Sequence, residues 1–495
     1  MIHQKLRGQS AKKERWLYSV LGVLTGFVLV MGIIDRGLFY IEDVYKLGGA
    51  LLCALFVMYL YVWLNLRKRS RFWYDHFYGQ GTFLYVIPLL LSVIYAVHFV
   101  SGNPISLEGT FHNMIRFGFI SVYAAVCFLL GTKRHGKRWL VASIQVTGWF
   151  LVISGLSAVC GLFVLPYTIM RTDDPLISFA GARLSGVLEY PNAYAALVGM
   201  FLLERLRAAA SGFRSSGKGA REQVIVSSLA LYPAATALLL SESRGAWLAA
   251  CVCAAAMILL QQRGQRLLLL GAGAAPLLAA AVTHRALAGA SLAPATAPGL
   301  LWLAGGEIAA LTGALLLHAL LARGRRVAAA AVSAASLASC AWLVIRTASA
   351  RITSGETWVS REVMWQDAAR FALHSPWLGH GGDAWKHAVH TVQSAPYAGN
   401  EIHSAYLDMW LDTGLIGLLL MVGLFIYIGG LLRRHAPELL PAGLLLILHG
   451  GIDFDFSYTV FWMILILLGA LALPVRRHRT DEPERKRTFA IRSRD

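Results

Sequence analysis

Charged residues make up only 15% of this 495-residue chain, and acidic side chains are scarcer than basic ones, 27 against 45. So little charge beside a hydrophobic share of 57% excludes an ordinary soluble domain. Cysteine is scarce too: Cys53, Cys127, Cys160, Cys251, Cys253 and Cys340 all lie inside apolar runs. A small polarizable side chain is ordinary packing there, which excludes a disulfide framework and a thiolate metal site. No A-x-A-like site follows the first apolar run, which begins behind Lys12, Lys13 and Arg15, so the first span is expected to stay. No pair of histidines shows H-x-x-x-H spacing within one clear helix, and zinc therefore has no visible motif. The net charge of +18 comes in short clusters between apolar runs, the pattern of topology signals rather than of a nucleic-acid surface.

What is present is a repeated apolar run of about twenty residues, the length a helix needs to cross the hydrocarbon core. The runs predict an all-α integral membrane protein with fourteen helices, at 16–34, 46–66, 82–100, 114–131, 139–165, 191–206, 223–241, 245–262, 267–283, 299–321, 327–346, 405–430, 437–452 and 457–474. With the N-terminus in the cytoplasm, the basic groups at 5–15, 67–71, 133–138, 205–221, 263–266, 323–326 and 433–434 and the tail from 476 all fall inside. The even count returns the C-terminus to the cytoplasm. Residues 1–15 then form a cytoplasmic segment, 16–474 the membrane core and 475–495 a basic tail too charged to bury anything. The Ala/Leu-rich stretch 267–345 reads as three plain helices.

Two outer segments are too long and polar to be turns, 166–192 and 347–404, the second lying between the eleventh and twelfth helices. Helical spacing around 363–373, followed by Pro376-Trp-Leu-Gly-His-Gly-Gly, predicts that the second folds in part as an amphipathic helix on the membrane face. Its end, the stretch 399–417, opens the twelfth helix. There His403, Tyr406 and Trp410 are expected to share one face at a water–lipid boundary, with Asn400 as the cap of the first turn.

Several cations face outward against the positive-inside bias, which implies an anionic partner such as a lipid-linked phosphate or diphosphate. Arg244 stands in Ser241-Glu242-Ser243-Arg244-Gly245-Ala246-Trp247, a one-turn break between apolar runs, and its planar fork suits phosphate oxygens. Pairing with Glu242, or reaching to lipid headgroups, explains it equally well. Arg183 precedes a helix with Pro191 at its start, and Arg351 and Arg361 lie in the large loop. His403 is a candidate general base for a hydroxyl, or only a hydrogen-bonding residue, with His380, His387, His390 and His449 as competitors. Asp453 with Asp455, and Glu42 with Asp43, are the acidic pairs that a divalent cation would need, although helix ends attract such charges anyway. Glu307 is an intramembrane ionisable residue, a proton-relay candidate or a side chain reaching for the interface.

Three pieces together resemble the bacterial O-antigen ligase and O-antigen polymerase superfamily. They are Arg183-Leu-Ser-Gly with Tyr190-Pro-Asn192-Ala; Ser243-Arg244-Gly-Ala-Trp247; and the large loop with Arg361-Glu-Val-Met-Trp365, Pro376-Trp-Leu-Gly-His-Gly-Gly and His403-Ser-Ala-Tyr406-Leu, then Gly414-Leu-Ile-Gly417. The resemblance implies a multi-pass protein of the bacterial plasma membrane with an extracytoplasmic site. It implies transfer of a glycan from an undecaprenyl-diphosphate carrier to a glycan or lipid-linked acceptor, with inversion and with no metal or cofactor. Arg244 then looks like the arginine that grips the diphosphate and His403 like the histidine that activates the acceptor. Arg183, Arg361, Asn192 and Tyr406 would bind substrate. Family members commonly have His-Asn where this chain has His403-Ser404, so the partner of the histidine is unassigned. The chain also carries more helices between Arg244 and His403 than the family pattern. A flippase for the same lipid-linked sugar is the alternative, but it would show mid-span charges and paired broken helices in corresponding halves, whereas the charges here cluster at outer helix ends.

Overall fold

The computed structural model describes residues 2–66, 79–163, 165, 167–174, 177–214, 218–293, 296–353, 356–397 and 400–475. The basic group at 67–71, Gly399 and the tail from 476 lie outside the described residues. In chain order the helices are α1 (Ile2–Ile34), α2 (Ile41–Leu66), α3 (Phe83–Ser101), α4 (Leu107–Gly131), α5 (Arg134–Val159), α6 (Pro191–Arg214), α7 (Lys218–Leu240) and α8 (Arg244–Leu259). They continue with α9 (Arg263–Gly289), α10 (Thr296–Ala322), α11 (Arg326–Thr353), α12 (Glu356–Ala372), α13 (Ala384–Val392), α14 (Ala405–His435), α15 (Leu440–His449) and α16 (Thr459–Leu471). The one pair of strands among the described residues, β1 (Ile169–Arg171) and β2 (Ala182–Leu184), forms an antiparallel hairpin with Met170 opposite Arg183.

Each of the fourteen apolar runs lies on a helix, because a backbone in hydrocarbon must satisfy its polar groups within its own segment. Among the described residues ten helices are long and apolar enough to cross a bilayer, namely α1–α5, α7, α9–α11 and α14; α8, α15 and α16 are apolar but shorter. The chain is a multi-pass membrane protein. Its outer helices show why: on α10 and α11 Leu301 is 73% exposed and Val327 85%, an apolar surface that water would not tolerate and lipid requires.

At the centre stands α16, apolar all round and with every residue buried, as expected of a helix enclosed on all sides. Lys137 of α5 donates to the carbonyls of Leu471 and Leu473, both at 2.5 Å, and so closes the C-terminal end of α16. The Ala/Leu-rich region folds as three helices, α9 to α11; Ala and Gly along α9 let it pack closely against α6 and α7, while α10 and α11 stay peripheral.

The large polar segment 347–404 is more helical than its composition suggests. Its first residues extend α11 to Thr353, so Arg351 stands on a helix and not in a loop. The amphipathic stretch expected near 363–373 is α12, followed by α13. Between them, Pro376-Trp-Leu-Gly-His-Gly-Gly makes a turn that plugs a break in α14. Gly414 has φ +67° and ψ −170°, a conformation essentially restricted to glycine, and interrupts the helical ladder. The freed groups bond to the turn: Leu415 N to Pro376 O at 2.8 Å, His380 N to Leu411 O at 2.8 Å, and Gly381 N to Asp412 O at 3.0 Å. Backbone lies against backbone, since a Cβ on Gly414 would fall 2.2 Å from Trp377. This junction fixes the N-terminal half of α14, and with it His403.

Candidate functional site

The N-termini of α6, α8 and α14 converge with the turn 450–458 that joins α15 to α16. Serines start two of these helices: Ser243 accepts from Ala246 N and Ser404 from Leu407 N. Asn400 is therefore not the cap of α14, which begins two residues beyond His403. The residue that departs from the His-Asn pattern, Ser404, has the capping role. Ala405 N bonds to Gly450 O (2.9 Å) and Asp453 O (3.2 Å), joining the start of α14 to the turn.

Asp453 is the hub. Its side chain is buried, yet five donors converge on it. Oδ1 accepts from Tyr190 OH at 2.9 Å, from His403 Nδ1 at 3.1 Å and from Phe454 N at 3.0 Å; Oδ2 accepts from Asn192 Nδ2 at 2.7 Å and an Arg361 guanidinium nitrogen at 3.2 Å. Burial works against a charged carboxylate, but the His403 hydrogen bond and the Arg361 charge outweigh it and hold Asp453 well below the usual carboxylate range. An ionised Asp453 fixes the tautomer of His403. Nδ1 carries the proton that Asp453 accepts, so the approach of Arg361 to Nδ1 at 3.3 Å is a contact between two donors. The other ring nitrogen, Nε2, meets no hydrogen-bonding side chain among the described residues, and the histidine is 21% exposed. Trp365 Nε1 donates to the His403 carbonyl at 3.1 Å, and Arg361 to the Ile452 carbonyl at 2.6 Å. One face of α12, residues i and i+4, thus braces both sides of the pair.

The remaining sequence candidates take different distances from this hub. Asn192 is part of it. Arg183, only 5% exposed, stands behind Asn192, donating to its Oδ1 at 2.7 Å and to Ser241 O at 2.9 Å. Arg244 opens α8 and is close enough to Arg361 for the two like charges to act on each other. Gly245 brings it there: a Cβ at that position would meet Ile452 at 2.9 Å and His449 at 3.2 Å. Glu242, in the turn before it, accepts from Ser178 Oγ and Phe179 N at 3.2 Å each and so ties the β-hairpin to the site. Tyr406 is not joined to the hub. Its hydroxyl donates to Ile447 O at 2.9 Å, and Trp410 donates to Pro376 O at 3.2 Å, so the shared face of His403, Tyr406 and Trp410 does not form.

The competing histidines are otherwise engaged. His380 stacks on Phe371 at 4.4 Å, His449 is buried against Asp455 at 2.5 Å, and His387 and His390 lie exposed on α13. The acidic pairs are divided too. Asp455 is pushed up to about 6 by burial, against the pull of His449, whereas Asp453 serves His403. Asp43 pairs with Lys46 at 2.8 Å and Arg36 at 3.2 Å, while Glu42 is exposed. Glu307 lies half-buried on α10. Sequence reasoning missed Asp453 as the partner of His403, and Tyr190, whose ring stacks on Phe454 at 4.6 Å. The spacing of these residues gives no sign of their meeting.

A comparison with curated proteins found no match. Residues 300–422 match the family model described as O-Antigen ligase, a segment from α10 into α14 that holds Arg361 and His403. That match supports the O-antigen ligase superfamily as the family of this chain and points to an O-antigen ligase- or polymerase-type membrane glycosyltransferase.

Proposed function

We propose that the chain transfers a glycan from an undecaprenyl-diphosphate carrier to an acceptor hydroxyl at the outer face of the bacterial plasma membrane, with both termini in the cytoplasm and fourteen helices in or across the bilayer. The observation that carries the reading is the His403–Asp453 pair with Arg361 on the same carboxylate and Arg244 beside it. In the proposed reaction the acceptor O–H gives its proton to His403 Nε2 while its oxygen attacks the anomeric carbon from the face opposite the diphosphate. The bond from that carbon to the phosphate oxygen breaks, the electron pair leaves with the diphosphate, and the configuration inverts. Asp453 stabilises the imidazolium that forms, and Arg244 and Arg361 meet the growing negative charge. Arg183 and Asn192 act behind them, keeping Asp453 in place. The three helix N-termini add positive potential on the donor side.

The test is the purified chain in lipid with undecaprenyl-diphosphate oligosaccharide, with and without EDTA, following glycan size and location. Glycan growing on the carrier identifies a polymerase, and glycan on an added acceptor a ligase, with EDTA expected to leave either activity intact. No bond formation, with the carrier crossing the bilayer instead, overturns the reading in favour of a flippase.

A further inference from the structure

Beside the hub, and separate from it, lies a small acidic cavity between α4, α13, α14 and the turn into α16. Its walls carry the carboxylates of Asp383, Glu401, Asp408 and Asp412, the cations Lys386 and Arg116, and Trp385 and Ser457; Lys386 already pairs with Asp383 at 3.4 Å and Glu401 at 3.0 Å, which leaves Asp408 as the acid open to an occupant. Three buried polar atoms of its wall residues have no partner among the described residues. Trp385 is 1% exposed and its indole N–H finds no acceptor, and Arg116 Nε and the Ser457 hydroxyl are likewise unmatched. A buried donor without an acceptor is costly, so these atoms point to an occupant.

The chemistry of the walls selects that occupant. An indole N–H can only donate and a carboxyl group offers an acceptor oxygen in either protonation state, so a group that accepts from the indole and donates to the carboxyl matches both. A hydroxyl does. The ammonium of Lys386 already serves Asp383 and Glu401 and leaves the indole unmatched, and an anion would face four carboxylates against two cations. The cavity measures about 30 Å³, room for roughly two water-sized groups and too little for a sugar ring. Its position ties it to the base: Glu401 lies two residues before His403, and Phe39 on its wall meets Phe454 at 6.3 Å, which in turn meets His403 at 5.3 Å.

We infer that this cavity is a specificity subsite that takes one hydroxyl or hydroxymethyl substituent of the acceptor sugar, with Trp385 donating to its oxygen and the Asp408 carboxyl accepting a hydrogen bond from its O–H. The assignment rests on the glycan-transfer reading, and it adds which part of the acceptor is recognised. It is tested by binding, which needs no turnover. The full chain in lipid nanodiscs is titrated with methyl glucoside, methyl galactoside, methyl mannoside and their monodeoxy analogues. The unmodified chain should lose about tenfold in affinity for the analogue lacking the recognised hydroxyl, and Trp385→Phe, which keeps the ring and removes the N–H, should erase that difference. Ser457→Ala serves as a second variant should Trp385→Phe not fold. Equal penalties in the unmodified and variant chains, or no binding of any glycoside, overturn the subsite and leave a cavity that holds only water. Hydroxyl-dependent binding without glycan transfer sustains the subsite and removes the transferase reading, so the two failures are distinguishable.

Discussion

Asp453 governs what His403 can do. Held as a carboxylate, it keeps the imidazole proton on Nδ1, and Asp453→Asn removes both the fixed tautomer and the charge that stabilises an imidazolium. We expect kcat to fall about 10²- to 10⁴-fold in Asp453→Asn and in His403→Gln, with the KM for donor little changed, measured by glycan transfer in lipid. Retention of most activity in His403→Gln, with a rate flat against pH, would remove the base role. The depressed Asp453 has a stability consequence as well. A carboxyl with its folded pKa below its unfolded value of about 4 contributes stability that is fully present above that pH and lost as pH falls below it. Thermal melts in detergent should show an acid-side loss below about pH 4 that is shallower in Asp453→Asn. Arg244→Ala should abolish transfer while expression and membrane insertion persist, whereas normal polymer made by that variant would end its role. His403, Arg361, Arg183 and Asn192 were legible in the sequence because polar residues in the long polar segments and at helix starts stand out against an apolar background. Asp453 was legible only as half of an acidic pair, since two carboxylates two residues apart look alike until one of them meets a histidine.

At the scale of the element, the broken α14 holds the site in register. The Pro376-Trp-Leu-Gly-His-Gly-Gly turn takes up the hydrogen bonds that Gly414 leaves unmade, so turn and break depend on each other. Gly414→Ala places a methyl where Trp377 backbone stands and forces a backbone conformation open only to glycine. A loss above about 2 kcal/mol is expected, seen as a lower melting temperature in detergent and poor recovery of folded protein. A normal melt for this variant would show that the break is not needed. The helices themselves were readable from apolar run length. Their partners were not: α16 and α10 are both strongly apolar in sequence, but α16 is enclosed by protein on every side while α10 faces lipid. The hydrocarbon of a bilayer and that of a protein core select the same side chains, and only packing tells them apart.

For the molecule as a whole, the proposed orientation places α13 outside and the turn between α10 and α11 inside. In a chain whose native cysteines are replaced, His390→Cys should react with a membrane-impermeant maleimide added to intact cells, and Arg325→Cys only after permeabilisation. The reverse pattern would invert the topology. The amino-acid sequence by itself determined the class of protein, the position of nearly every helix and the cations of the candidate site, because hydropathy and charge placement are local quantities that the bilayer reads directly. The tertiary structure alone decided that Tyr190, Asn192, His403 and Arg361 share the Asp453 carboxylate, that the Tyr406 hydroxyl bonds to Ile447, and that Trp385 lines an acidic cavity with no acceptor among the described residues. Those facts come from the convergence of segments between 41 and 263 residues apart in the chain, and no local pattern encodes which of them will meet.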